Sequence, residues 1–392
     1  MKILNKLILL CLFLLLIPLV NALTTTTTTS TSTTTTIFTV GVDYWSGNTK
    51  STFTNSDLPL LKDAGIQMLR IEFNDTNNSK SMNNLRTLVP AVVNNNIKVL
   101  GLLIRKDLAP DNVDAWGDWV YNTVNEFKNN VHVWECWNEP NLENFFSGKD
   151  PVKYTAFLKK CYEQAKRADP TCKVLGGSVV FTHQTALNFL TAIYQNGAKD
   201  YMDRLSYHPY CTPYAPDYTG SDSHNPYIWL GTKVRPLMVS FGDTRPLWIT
   251  EVGWTTADVG ETKQSDYLVK ALQMARDWGW VETFIIYNWK DSSTSGSLTK
   301  GLLRTDRTLK PSYYAVKDFI SSPTTTTTRT TTTIRPQPGG RGGGRMPLMM
   351  ETSEGLNNPI VILVALIAIV VILIAIFSTF KFLVKKPVKH KR

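Results

Sequence analysis

Between residues 37 and 322, short runs of apolar and β-branched residues alternate with longer stretches in which apolar residues recur at helical spacing. Runs of four to eight such residues are typical of strands, and a period of three to four residues is typical of amphipathic helices. The pattern predicts eight strands, at residues 38–42, 68–73, 98–104, 131–137, 173–177, 204–208, 247–251 and 283–288. Helices are predicted between and after these strands, at residues 57–64, 83–94, 113–128, 151–168, 185–195, 228–240, 264–278 and 311–320.

This alternation predicts a parallel α/β sheet with crossover helices. Eight repeats fit a (β/α)8 TIM barrel, which typically takes about 250 residues. An open, doubly wound sheet is the alternative, but the G-x-G-x-x-G motif typical of its dinucleotide-binding members does not follow the first predicted strand. We therefore expect a barrel at residues 37–322, with its chemistry at the carboxyl ends of the strands.

The two ends of the chain have the composition of targeting and anchoring segments. Lys2 and Lys6 precede an apolar run at residues 7–20 that ends in Val-Asn-Ala, which predicts a cleaved signal peptide at residues 1–22, with a retained N-terminal anchor as the alternative. A run of 18 apolar residues at 360–377 predicts a transmembrane helix at 359–380, followed by a basic cytoplasmic tail at 381–392. The interpretation is a single-pass cell-membrane protein whose large domain is extracellular.

Two low-complexity segments flank the predicted barrel. Residues 23–36 are almost entirely Thr and Ser, which is typical of a solvated stalk, and residues 323–358 are rich in Thr, Pro and Gly. The second segment contains the run GGRGGGR, a composition that also occurs in RNA-binding tails. We interpret it as a flexible linker because it lacks aromatic residues and adjoins a predicted extracellular stalk.

The net charge of +10 does not belong to the predicted barrel. Residues 37–322 contain 30 basic and 30 acidic residues, so the excess of Lys and Arg lies in the two ends. A balanced domain argues against a basic nucleic-acid-binding surface, and we expect no nucleic-acid partner.

The cysteines fit an oxidising location. Removal of Cys11 with the signal peptide leaves four, Cys136, Cys161, Cys172 and Cys211, which allow three pairings. We favour Cys161–Cys172, which flank one helix-to-strand turn, with unpaired buried thiols as the alternative. No Cys-x-x-Cys or His-x-x-x-His spacing indicates a zinc site, and we expect no cofactor or metal. Asn74 and Asn77 begin N-glycosylation sequons.

Two glutamates lie at the predicted carboxyl ends of strands four and seven. The fourth strand runs into HVWECWNEPN, which places Asn138 and Glu139 at its end, and the seventh runs into PLWITEVGW, which places Glu251 at its end. Two facing carboxylates are what the cleavage of a glycosidic bond requires. We expect Glu135 to be structural. Tryptophans near both glutamates suit stacking on sugar rings; they are Trp134, Trp137, Trp248 and Trp254.

The WNEPN motif on strand four, with a second Glu on strand seven, resembles the clan A glycoside hydrolases, which are retaining enzymes on a (β/α)8 barrel. The resemblance covers residues 40 to 319. The stretch WECWNEPNLENFFSG looks most like family 39, whereas PLWITEVGW and YHPY look as much like family 5. Many family 5 members have a His at the end of strand three, where this chain has Arg105 and Asp107 in LLIRKDL.

The resemblance implies a role for each matching residue. Glu139 is expected to be the general acid/base and Glu251 the nucleophile. Asn138 is expected to hold the sugar 2-hydroxyl, and Arg70 to steady the nucleophile. The resemblance also implies substrate contacts from His208 and Tyr210 after strand six, and an aromatic floor from Trp289 at the end of strand eight.

These features together predict a cell-surface retaining β-glycosidase that hydrolyses an extracellular oligo- or polysaccharide, as an endo-β-glucanase or related enzyme does. The alternative is a non-catalytic carbohydrate-binding or adhesion protein on the same scaffold. No pattern in the loops identifies a particular sugar. We expect the loop at residues 212–227, with Tyr214, Tyr218 and Tyr227, to form one wall of the cleft.

Overall fold

The computed structural model describes residues 38–44, 56–74, 79–181, 184–220, 226–293 and 296–322. Within them, eight parallel strands close into one barrel in chain order. The barrel closes where β1 pairs with β8, with Val40 opposite Phe284. The strands are β1 Thr39–Tyr44, β2 Met68–Phe73, β3 Lys98–Leu103, β4 Val133–Cys136, β5 Lys173–Val180, β6 Arg204–His208, β7 Leu247–Val252 and β8 Val281–Ile286.

Helices follow the strands. They are α1 Asp57–Asp63, α2 Ser79–Val93, α3 Val113–Phe127, α4 Pro151–Ala168, α5 Gln184–Gln195, α6 Pro226–Trp229, α7 Arg235–Ser240, α8 Thr256–Trp278 and α9 Pro311–Ser321. A π-helical turn, Leu230–Val234, joins α6 to α7. Local sequence explains several helix ends. Asp150 caps α4 by accepting from the backbone N–H groups of Val152 and Lys153 ahead of Pro151. Gly279 ends α8 at a φ of 68°.

The inside of the barrel is divided into an apolar lower part and a polar upper part. Side chains alternate across a strand, so every second residue faces inward. A buried apolar cluster is formed by side chains from five of the strands, Met68, Leu100, Leu175, Trp248 and Ile285. Two residues further along β2 and β7 the inward positions are the polar Arg70 and Thr250, and β4 contributes Glu135; all three are buried. The alternation therefore places charged groups above an apolar base, at the carboxyl end of the barrel.

The predicted strands and helices correspond to those of the structure, with shifted ends. The prediction ends β5 at residue 177, where Gly176 and Gly177 suggest a turn, but the strand continues through an irregularity to Val180. The predicted β8 began and ended two residues late. No helix among the described residues is long and apolar enough to span a bilayer. The predicted signal peptide, stalks, transmembrane helix and tail lie outside the described residues and stay predictions.

The favoured disulfide is wrong. Cys136, the last residue of β4, is bonded to Cys161 of α4, with their Cα atoms 6.3 Å apart. Cys172 and Cys211 are buried and are not disulfide-bonded. Cys161 lies seven residues before the end of α4, about 10 Å along the helix axis from the turn that holds Cys172. Proximity in sequence therefore misled the prediction, because the middle of α4 packs against β4.

Candidate active site

The end of β4 presents Asn138 and Glu139 through an unusual backbone path. Trp137 and Glu139 have φ angles of 79° and 45°, in the left-handed region that L-residues rarely adopt. The Trp137 ring is held edge-on by Trp116 and Phe146, with centroids 5.3 and 5.7 Å away. The Glu139 N–H donates to the carbonyl of Ser178 at 3.1 Å. Packing and β5 thus hold the turn that directs the Glu139 side chain into the barrel mouth.

Asn141 fixes the next part of this turn. Its Nδ2 donates to the Val180 carbonyl at 2.7 Å, and its Oδ1 accepts from the Val180 N–H at 3.1 Å. This pair of hydrogen bonds fastens the segment after Glu139 to the end of β5. The last Asn of WNEPN therefore has a structural role.

Arg70 is the centre of the buried charge network. Its Nη1 donates to Glu251 Oε1 at 2.6 Å and to Asp43 Oδ2 at 2.5 Å. Its Nε donates to Glu135 Oε2 at 2.7 Å, and its Nη2 donates to Asn138 Oδ1 at 2.9 Å. Burial alone would lower the pKa of Arg70, but the three carboxylates raise it well above its usual value. The guanidinium therefore stays charged and orients side chains from three other strands, β1, β4 and β7.

Asp43 is the third carboxylate on Arg70 and is not among the predicted site residues. Burial, together with the negative charge of Glu251, raises the pKa of Asp43 to about 7 although Arg70 opposes the change. Its position, two residues after the interior Gly41 on β1, follows from strand alternation once the ends of β1 are known.

Both oxygens of Glu251 are held by donors. Oε1 accepts from Arg70, and Oε2 accepts from the Tyr210 hydroxyl at 2.7 Å. Burial and the charge of Glu251 raise the pKa of Tyr210 well above its usual value, so this phenol remains a donor. Two fixed donors hold the carboxylate in one orientation at the end of β7.

His208 lies between the two glutamates. Its Nδ1 is 3.0 Å from Glu139 Oε1 and 3.8 Å from Glu251 Oε2, and its Nε2 is 3.0 Å from Thr250 Oγ1. Burial lowers the pKa of His208, but the charge of Glu251 and the hydrogen bond to Glu139 outweigh burial and raise it. One oxygen from each glutamate and a His208 nitrogen all lie within 4.8 Å of one another.

That spacing would also suit a metal ion, but each group already has a hydrogen-bond partner. Arg70 and Tyr210 take the two oxygens of Glu251, and His208 takes an oxygen of Glu139. We therefore treat the three side chains as a hydrogen-bonded acid–base group.

The structure thus brings together Arg70, Asn138, Glu139, His208, Tyr210 and Glu251, and it does not bring Trp289 to them. Trp289 is buried in the core, where its Nε1 donates to Asp57 Oδ1 at 3.2 Å and its ring contacts that of Tyr313. Because β8 ends at Ile286, the residue at its end is Tyr287, whose half-buried ring lies 6.2 Å from that of Tyr210. Alternation with the interior Ile285 was the signal that would have identified Tyr287.

Gly253, just after β7, allows the backbone of Tyr287 to pack closely against it. A Cβ atom at this position would collide with the Tyr287 carbonyl oxygen. Lys300 also lies at the site: its Nζ is 5.7 Å from the Tyr210 ring centroid, and no feature of the sequence pointed to it.

The tryptophans predicted to stack on sugars are core residues. Trp134, Trp137 and Trp254 are buried in the main core, and Trp248 belongs to the apolar base of the barrel. Tyr227, predicted to line the cleft, is also fully buried and donates to the Ala271 carbonyl. Tyr214 and Tyr218 of the same loop stack on each other with ring centroids 4.5 Å apart, and Tyr218 is exposed.

Comparison with known proteins places the fold. No protein-family model matches the chain, and no curated protein matches it in sequence. Among solved structures, a family 39 glycoside hydrolase from Bacteroides cellulosilyticus WH2 superposes with a TM-score of 0.58 at 24% identity, over 72% of this chain and 63% of that one. A monomeric β-xylosidase from Caulobacter crescentus CB15 superposes with a TM-score of 0.55 at 18% identity, over 73% of this chain and 68% of that one.

A glucosidase from Croceicoccus marinus gives a TM-score of 0.57 at 17% identity, over 73% of this chain and 67% of that one. The chain spans less than two thirds of the first of these structures. At such identities the similarity shows the fold, which is the (β/α)8 barrel seen in family 39 structures.

Proposed function

We propose that this protein is a retaining β-glycosidase in which Glu251 is the nucleophile and Glu139 the general acid/base. The observation that carries the proposal is the pair of carboxylates at the ends of β4 and β7, with oxygens within 4.8 Å of each other. Carboxyl groups of retaining enzymes are about 5–5.5 Å apart, whereas inverting enzymes need roughly 6.5–9.5 Å to admit a water molecule. The spacing supports direct attack by Glu251.

In the first step, a Glu251 oxygen attacks the anomeric carbon of the sugar while the bond to the departing oxygen breaks. Glu139 gives its proton to that oxygen, so the alcohol leaves neutral. A glycosyl ester forms on Glu251. Asn138, held by Arg70 through its Oδ1, is oriented with its Nδ2 available to the sugar hydroxyl beside the anomeric carbon.

In the second step, Glu139 takes a proton from water as the water oxygen attacks the anomeric carbon and the ester bond to Glu251 breaks. Arg70 and Tyr210 stabilise the returning carboxylate with the same two hydrogen bonds that held it before the reaction. Two inversions at one carbon retain the β configuration, and the half-buried ring of Tyr287 provides an apolar surface for the sugar.

The names of similar structures support a β-glycoside as the substrate. They include a β-xylosidase, a glucosidase and an exo-β-1,4-mannosidase. We extend the proposal to an oligo- or polysaccharide outside the cell, hydrolysed at the cell surface as by an endo-β-glucanase or related enzyme. The support is the predicted signal peptide and membrane anchor.

The test is hydrolysis of 4-nitrophenyl β-xyloside, β-glucoside and β-mannoside and of β-linked polysaccharides by the purified full-length protein. Activity with a β-configured first product, seen by NMR, is expected. E251Q should abolish turnover. E139A should lose most activity on substrates with poor leaving groups. On a 2,4-dinitrophenyl glycoside, whose first step needs no acid, added azide should speed the breakdown of the glycosyl ester and give a β-glycosyl azide.

E163Q is the matched control, since Glu163 is an exposed glutamate on α4, and it should behave as wild type. An α-configured first product, or full activity in E251Q, would reject the mechanism. Retention of polysaccharide without turnover across the panel would instead favour a carbohydrate-binding protein.

A further inference from the structure

A chain of buried hydrogen bonds lies beneath Glu139, and the reaction above does not use all of it. Thr250 Oγ1 donates to Glu135 Oε1 at 2.7 Å and also lies 3.0 Å from His208 Nε2. The other nitrogen, His208 Nδ1, lies 3.0 Å from Glu139 Oε1. Glu135, Thr250 and His208 are all 0% exposed, so solvent supplies none of them with an alternative partner. These hydrogen bonds link the barrel interior to the proposed general acid, Glu139.

The donors and acceptors in this series of hydrogen bonds can be assigned by starting from Glu135. Burial would raise the pKa of Glu135, but interactions led by the charge of Arg70, with a hydrogen bond from Ser178 among them, outweigh burial and lower it. An ionised carboxylate only accepts, so the single hydroxyl proton of Thr250 is committed to Glu135. The Thr250 oxygen must then accept from His208, which requires a proton on Nε2.

We propose that Thr250, oriented by Glu135, is a positioning residue that holds His208 in its Nε2–H form and so keeps one proton between His208 Nδ1 and Glu139. The inference rests on the proposed role of Glu139 as general acid. With Nε2 protonated, Nδ1 of a neutral His208 is an acceptor, and Glu139 must supply the proton. If that proton were lost, the lone pair of His208 Nδ1 would face the ionised oxygen of Glu139 at 3.0 Å, and the two would repel each other.

Several other charged or titratable groups surround the pair. They are Asp43 on β1, Arg70 on β2, Glu135 on β4, Tyr210 after β6, Glu251 on β7, Tyr287 after β8, and Lys300. A change at Thr250 leaves all of these side chains in place. It also removes one hydrogen bond to Glu135, which keeps those from Ser178 and Arg70, so the main effect of the change is on the His208 tautomer.

The test replaces the Thr250 hydroxyl by a methyl group of similar size in the full-length protein. In T250V, His208 Nε2 has no acceptor, so the ring can place its proton on Nδ1 and donate to ionised Glu139. We expect the alkaline limb of the kcat/KM profile to move to lower pH by about one unit. At pH 7, kcat should fall roughly tenfold for a phenyl glycoside but hardly for a 2,4-dinitrophenyl glycoside, which needs no acid.

Two variants serve as controls. T250S keeps a hydroxyl at the same place and should restore the wild-type pH profile. T155V removes another buried hydroxyl, which donates to the Pro151 carbonyl at 2.7 Å within α4, and should leave the profile unchanged. A T250V profile that overlies that of wild type, or an equal loss on both glycosides, would overturn the proposal.

Nitrogen-15 NMR of the histidine-labelled full chain gives a readout that needs no turnover. Wild type should show an N–H resonance at His208 Nε2, assigned by its loss in H208N, and T250V should show it at Nδ1. A wild-type N–H at Nδ1 with Nε2 unprotonated would overturn the proposal even in an active enzyme. Failure to hydrolyse any glycoside, with the Nε2–H form present, would reject the proposed function and leave the tautomer assignment standing.

Discussion

Arg70 is the counter-charge that allows three carboxylates to be buried together. Its guanidinium is 2% exposed and contacts the carboxylates of Asp43, Glu135 and Glu251. A buried carboxylate without a partner is strongly destabilising. The planar fork of arginine has five N–H donors, enough for three carboxylates and the Asn138 amide, whereas the compact ammonium of lysine cannot span them.

Replacing Arg70 should therefore cost much of the stability of the domain. We expect R70M to lower the free energy of unfolding by about 3–5 kcal/mol, because it leaves buried carboxylates without a counter-charge. R70K should recover only part of this loss. Urea unfolding at pH 7 measures both. The matched control is R86M, which breaks the surface pair Arg86–Glu126 and should cost less than about 1 kcal/mol; equal losses in R70M and R86M would contradict the argument.

Asp43 should make stability depend on pH. In the unfolded chain an Asp ionises near pH 4, whereas burial and Glu251 raise the pKa of Asp43 to about 7 in the folded protein. Between these values the folded state holds a proton that the unfolded state has released. The contribution of Asp43 to the free energy of unfolding therefore falls as pH rises from about 4 to 7, and stays low above that.

D43N removes this contribution, so its stability relative to wild type should rise between pH 4 and 7. Urea midpoints across that range measure the change. D63N is the control: hydrogen bonds from Lys317 and Tyr313 lower the pKa of Asp63, so the stability of D63N relative to wild type should be constant between pH 4 and 7 and change only below about pH 4. A difference between D43N and wild type that is constant with pH would show that Asp43 is ionised throughout.

At the scale of strands and helices, the alternation of apolar and polar positions was enough to predict the barrel. The bounds of β2 and β6 agree with the prediction because turn residues and polar runs flank both strands. Glu139, His208 and Glu251 could be predicted as neighbours without any knowledge of side-chain contacts, since the ends of parallel barrel strands converge on one face.

What the sequence could not supply depends on register and packing. Gly176 and Gly177 suggest an end to β5, yet the strand continues, and the Ser178 hydroxyl reaches Glu135 at 2.5 Å. A two-residue error in β8 moved its expected end from Tyr287 to Trp289. Which cysteine pairs with which depends on how α4 packs on β4, and local spacing contains no information about that contact.

The Cys136–Cys161 disulfide ties α4 to the strand that presents Glu139. The bond closes a loop with a sequence separation of 25 residues, and the chain-entropy model assigns such a loop about 3.5 kcal/mol. The double variant C136S/C161S should lose about 2–4 kcal/mol of unfolding free energy in urea. A reductant should destabilise wild type but not the double variant. Loss of stability in C172S on the same scale would show that burial of the cysteine, rather than the bond, accounts for the effect.

At the scale of the whole molecule, α9 seals the barrel where its first and last strands meet. The Tyr313 hydroxyl donates to the Leu60 carbonyl and to Asp63 at 2.8 and 2.7 Å, and Lys317 pairs with Asp63 at 2.7 Å. Phe319 packs edge-on against Phe38 just before β1. The last helix thus contacts α1 and the residue before β1, and so joins the end of the barrel domain to its beginning.

A chain of residues 37–322 should therefore fold and work without the remaining segments. We expect the same thermal midpoint and the same kcat/KM on a soluble glycoside as for the full-length protein, since all the site residues and the sealing helix are present. This segment carries no net charge, and its activity should not fall with added salt as polyanion binding would. Circular dichroism, thermal unfolding and the glycoside assay measure these outcomes.

The control for that truncation is a chain of residues 37–310, which lacks only α9. Without Tyr313 and Phe319, the apolar surface of α1 and the start of β1 lose their cover, because both residues are buried in the native core. This shorter chain should unfold at lower temperature or aggregate, and should lose activity together with structure. If the 37–322 chain folded but was inactive, a segment outside the barrel would have to complete the site. If the 37–310 chain stayed folded and active, closure of the barrel would depend on the β1–β8 pairing alone.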